Sequence, residues 1–130
     1  MRFMIMFRGE TDEETTAPVC KESTDMRGLI AELKSAGILH STEGLRPSAR
    51  GARVRLSGGK LAVMDGPFAE AKELIAGYVI IEAGSKAEAV ELSERFLRIA
   101  PEGSSAEVRE ILESPGAATT AFGEMPALQN

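Results

Sequence analysis

The chain has 130 residues, 43% hydrophobic and 27% charged, which suits one ordinary globular domain able to close a core without staples. Its net charge of −5 excludes wholesale nucleic-acid binding, which needs a basic surface to displace counterions, and no run reaches the roughly 18 apolar residues of a membrane span. One cysteine, Cys20, and one histidine, His40, exclude an internal disulfide and a zinc site built on such ligands, so neither a metal nor another cofactor is expected.

The N-terminal stretch 1–7 is too short for a signal-peptide core and lacks a small-residue cleavage site, so a cytoplasmic location is expected. Phe3, Ile5 and Phe7 alternate with Met4 and Met6, which predicts a strand over 2–8 with both faces apolar. Residues 9–22 are polar and read as a loop containing the acidic group Glu10, Asp12, Glu13 and Glu14. From Thr24 the period changes: Met26, Leu29, Ile30 and Leu33 recur at helical spacing and Gly37 follows as a stop. A helix is predicted over 24–36, capped by Ser23 or Thr24.

Ile38 and Leu39 restart an extended segment that runs to the turn-rich stretch 44–48. Ala52, Val54 and Leu56 then alternate with Arg53 and Arg55, the pattern of a half-buried strand. Gly58-Gly59 separates it from Leu61-Ala62-Val63-Met64 and signals a hairpin. Residues 74–82 predict another strand apolar on both faces. Ser85-Lys86-Ala87-Glu88 is a capping box that opens a helix over 85–99 with the stripe Ala89, Leu92 and Phe96. A last strand is predicted near 106–113, and the Ala-, Gly-, Pro- and Thr-rich residues 114–130 form a tail that is loosely ordered or packed on a partner.

This order predicts an α+β domain over 1–113, a ferredoxin-like split βαβ unit with an inserted hairpin. Both helices then lie on one sheet face, yet the first strand and the strand 74–82 are apolar on both. The second face needs a cover, and a second copy of the sheet supplies one as a symmetric homodimer. The tail is the alternative cover.

Arg46, Arg50, Arg53 and Arg55 fall within ten residues, either as a solvated hairpin face or as a local anion site. Other chemical signatures are missing. Gly58-Gly59 is not followed by a helix, so it is no phosphate loop, and no serine sits in a nucleophile elbow. With no tryptophan and one tyrosine there is little on which bases could stack.

The string Met64-Asp65-Gly66-Pro67-Phe68-Ala69-Glu70-Ala71-Lys72-Glu73-Leu74 is the most distinctive. With Glu43-Gly44-Leu45-Arg46-Pro47 before it and Ile75-Ala76-Gly77-Tyr78 after it, it resembles the DGPF-domain branch of the YCII-related proteins. The resemblance covers roughly residues 1–113 and implies a ferredoxin-like unit paired into a dimeric α+β barrel. It also implies a largely uncharacterised function, with some members linked to extracytoplasmic-function sigma factors. In the wider family a histidine on the first helix and an aspartate are proposed as a catalytic pair. Here the helix 24–36 has no histidine, and His40 lies in the strand beyond it.

Asp65 has two readings. Its carboxylate can accept backbone N–H groups and fix a turn that Gly66 and Pro67 already constrain. Alternatively it lies at a pocket rim, where partial desolvation suits a general base, with His40 as acid or electrophile and Arg46 holding an anionic group. Lys72 is a second candidate for charge stabilisation, or an exposed loop residue beside Glu73. Phe68 either anchors the turn in the core or contacts a ligand, and Met4, Met6 and Met64 either fill the core or line an adaptable cavity. Three functions fit this pattern: a cofactor-free acid–base enzyme or binding protein for a small ligand, a regulatory or interaction module without catalysis, and a ligand sensor.

Overall fold

A computed structural model describes residues 1–10 and 24–113. Asp12, Glu13, Glu14, Cys20, the candidate cap Ser23 and the tail 114–130 lie outside the described residues. The central strand is β1 (Arg2–Arg8), whose Phe3, Ile5 and Phe7 are buried on one face. The helix α1 (Thr24–Ser35) packs Met26, Leu29 and Leu33 onto that face. It ends where expected: Gly37 takes φ 74°, its N–H donates to the Lys34 carbonyl, and the Ile38 N–H donates to that of Leu33.

Next come the strand β2 (Leu39–Gly44) and the hairpin β3 (Ala52–Ser57) and β4 (Lys60–Asp65). The hairpin turns on Gly58 and Gly59, with φ of 58° and 79°, as a two-residue primed turn requires. The strand β5 (Ile75–Glu82), the helix α2 (Lys86–Arg98) and the strand β6 (Ser105–Glu110) complete the described chain. Ser85 caps α2 by accepting the Glu88 N–H at 3.2 Å. The Glu88 carboxylate reaches one residue further back than a capping box does, accepting the Gly84 N–H at 2.7 Å.

The main sheet has the order β2-β5-β1-β6, every pair antiparallel, and both helices cover the same face of it. Val79, Ile81, Ala89 and Phe96 close the core from β5 and α2, and the Phe7 and Phe96 rings meet at 5.4 Å with a 56° tilt. Among the described residues β2 and β6 are the edges of the sheet, which is not closed into a barrel. The last strand stops at Glu110, short of the predicted 113, and Leu112 beyond it is exposed.

The other sheet face carries Met4, Met6, Ala76, Tyr78 and Ile80, all half-buried. Its methionines therefore do not fill the core, and Met64 on β4 is 54% exposed. The hairpin departs most from the half-buried strand its alternation predicts. Val54, Leu56, Leu61 and Val63, on one face of it, are 65–73% exposed, and the hairpin gives no residue to the core. Alternation fixes which side chains share a face, but none of the other described residues buries this one. Full burial of a residue of this size is worth about 1.5–3 kcal/mol, so a sizeable apolar contribution is unrealised in the single chain.

Candidate functional site

Two irregularities in the main sheet place the ionisable groups around the open face. The pairing of β2 with β5 shifts between Leu39 and Ser41, which leaves His40 as the extra residue of a β-bulge. A bulge re-aims a side chain, and His40 Nε2 lies 3.1 Å from Glu82 Oε1. The other oxygen, Glu82 Oε2, accepts the Met1 amino group at 2.6 Å. These two bonds, the amine first and His40 second, hold the Glu82 carboxyl below its ordinary range, so it is ionised at neutral pH. An ionised carboxylate only accepts, so His40 Nε2 is the donor of this hydrogen bond.

The second shift lies between Phe7 and Arg8 in the pairing of β1 with β5. Arg8, at the opposite end of β1 from Arg2 and Glu82, donates from Nε to the Glu73 carbonyl at 3.3 Å and from Nη2 to Glu107 Oε1 at 3.1 Å. Glu107 also accepts Arg109 Nη1 at 3.1 Å. Bonds from Arg109 and then Arg8 hold its carboxyl below the ordinary range. Met4, Met6, Tyr78 and Ile80 thus form an apolar floor between the Glu82–His40 pair at one end and the Arg8–Glu107 pair at the other.

Asp65 ends β4 opposite Ala52, exposed, and its carboxylate accepts no backbone N–H among the described residues. The turn is fixed by other atoms. The Gly66 N–H donates to the Gly51 carbonyl at 3.0 Å, and the Phe68 N–H donates to Ser48 Oγ at 2.9 Å. Gly66 lies so close to the backbone of Ser48 that a Cβ there would stand 1.8 Å from its carbonyl oxygen. The Gly66–Pro67 peptide is cis. Phe68 is half-buried outside the core, with the Arg53 guanidinium 3.9 Å from its ring centroid.

Among the predicted residues, the structure gathers Asp65, Gly66, Pro67 and Phe68 around Ser48 at the hairpin base and sets His40 apart, bonded to Glu82 on the main sheet. No described hydrogen bond or ion pair joins His40 to Asp65. Arg46 is exposed in the loop before Ser48, and Lys72 is exposed in the short 3-10 turn Ala71–Glu73. Nothing in the sequence marks Glu107 or Ser48 as a site residue, and little marks Arg8 or Glu82. A charge at each end of an apolar strand is the only signal for Arg8 and Glu82, and most such charges are solvent-facing termini.

The pattern that runs from Arg2 through the paired strands to the end of β6 has a counterpart in known proteins. The family model of the YCII-related domain matches residues 1–114. The chain belongs to the YCII-related family. It is 37% identical over 111 residues to an uncharacterised protein of Rhizobium meliloti (strain 1021), spanning 81% of this chain and 90% of the relative. In this YCII-related chain no described helix is long and apolar enough to cross a membrane. Among the described residues, no group of three or more His, Cys, Asp or Glu is set to hold a metal.

Proposed function

We propose that this protein, a member of the DGPF branch of its family, is a cytoplasmic cofactor-free enzyme or binding protein for a small ligand. Its pocket lies on the open sheet face and is completed by a second copy, as in a dimeric α+β barrel of ferredoxin-like units. The observation that carries this reading is the apolar floor of Met4, Met6, Tyr78 and Ile80 between Glu82–His40 and Arg8–Glu107. A floor of this kind accepts the body of a small aromatic or oxygenated compound, and few polar groups at its ends suffice to orient it.

The chemistry open to such a pocket is proton transfer. Glu82 fixes the ring of His40 and its tautomer, as a base-orienting carboxylate does, and Asp65 is the second acid–base candidate. Arg46 and Lys72 are the cations that would meet an anionic group, and Phe68 the aromatic side chain that would meet the ligand. Isomerisation, dehydration or elimination needs no more than this set. The test is a thermal-shift screen with small aromatic and hydroxy carboxylic acids. Ligands that raise Tm for the wild type should lose that effect in Asp65→Asn and His40→Gln. A flat response across the screen sinks the reading.

A second reading, a regulatory module serving a sigma-factor system without catalysis, draws support from the bare aliphatic side chains of the hairpin. It requires a stable heterologous complex on pull-down together with a flat ligand screen.

A further inference from the structure

The hairpin β3–β4 has two unlike faces. Val54 pairs with Val63 and Leu56 with Leu61 on one, while Arg53, Arg55 and Lys60 lie on the other. Residues 45–64 hold Arg46, Arg50, Arg53, Arg55 and Lys60 and no carboxylate; with five positive charges there and −5 overall, the rest of the chain carries −10. A two-stranded hairpin is marginal by itself, and this one adds nothing to its own core. We propose that it is an arm which crosses to a second copy of this chain and lays its apolar face on that copy's open sheet face. This rests on the pairing proposed above and names the element that closes the pocket.

Charge selects the body of the partner over its arm. Two arms packed together would bring two segments of five positive charges close to each other, whereas the rest of the partner carries −10 in all and attracts an arm. The apolar surface available on that body is the floor of Met4, Met6, Tyr78 and Ile80. A two-fold axis makes the exchange reciprocal. The register adds a consequence: Asp65 shares the face of Val63 and Leu61, so the arm carries the Asp65 of one copy toward the Arg8 and Glu82 of the other. The separation of Asp65 from His40 in one chain then follows from a site built by two.

The experiment uses the full chain with Cys20→Ser. Leu61→Cys and Met6→Cys chains carrying different tags are co-expressed and treated with a short bismaleimide, after sedimentation of each sample. A cross-linked species containing both tags, absent when either variant is expressed alone, is expected. A dimer that yields no mixed cross-link overturns the arm and leaves the pairing intact, as does cross-linking of Leu61→Cys to itself, which means that arms meet. A monomer overturns both, whether the arm is bare or covered by the chain's own C-terminal residues. Val54→Cys with Ile80→Cys replaces the first pair if circular dichroism shows that either variant fails to fold.

Discussion

Glu82 bonds the His40 ring at 3.1 Å through one carboxylate oxygen and the Met1 amine at 2.6 Å through the other. One side chain of β5 thus ties the bulged residue of an edge strand to the start of the central strand. These bonds hold the Glu82 carboxyl low and the Met1 amino group high.

The pH dependence follows from those directions. A lowered carboxyl stabilises the fold fully above its ordinary value of 4.5 and loses that contribution as pH falls through the lowered value. The raised amino group contributes below 8.0 and stops contributing as pH climbs through its raised value. Glu82→Gln should therefore lower Tm at pH 6 and flatten the fall of Tm between about pH 5 and pH 3. Glu107 and Glu113, also held low, keep the rest of the acid limb. Met1, Glu82 and Glu113 are exposed and Glu107 is half-buried, so added salt should narrow the difference. Identical Tm–pH curves for variant and wild type would refute the coupling.

At the hairpin base, Gly66→Ala should destabilise the protein by about 1–3 kcal/mol, because the new Cβ would run into the Ser48 backbone, which cannot swing aside as a side chain can. Gly51→Ala is the control: its Cβ would lie 3.6 Å from the Ser48 carbonyl oxygen, at an ordinary contact, with φ −125°. It should fall within about 0.5 kcal/mol of the wild type. Urea denaturation of both variants decides; equal losses would contradict the close approach.

Ser48 and Asp65 exchange the roles that residue type suggests. Ser48→Ala should cost about 0.5–1.5 kcal/mol by removing the acceptor of the Phe68 N–H. Asp65→Asn, which changes an exposed group that fixes no backbone N–H, should stay within about 0.5 kcal/mol. Chemical denaturation distinguishes them, and a larger loss for Asp65→Asn would restore the aspartate as the clamp of the turn.

In the core, Phe96→Ala should cost about 3–5 kcal/mol, since the ring is fully buried against Phe7 and its removal leaves a cavity between α2 and the sheet. Val90→Ala, on the exposed side of α2 at 39% exposure, should cost far less. Comparable midpoints for the two variants in urea would place the core elsewhere.

What the sequence determined by itself was everything carried by local periodicity and local stereochemistry. The alternation Phe3-Ile5-Phe7 set β1, the spacing Met26-Leu29-Leu33 set α1 and its buried face, and Gly37, Gly58-Gly59 and Ser85 set the ends and turns. Two helices on one face of an antiparallel sheet followed from the order of those elements. Tertiary structure alone decided which polar groups meet. His40 joined Glu82 because a bulge turned it there, Arg8 joined Glu107 across β1 and β6, and Ser48 took the role expected of Asp65 because the Gly66 turn presses on its backbone. It also decided that the apolar face of the hairpin stays exposed among the described residues. A pattern of side chains states which residues prefer burial; the surface that buries them belongs to whatever the fold brings opposite.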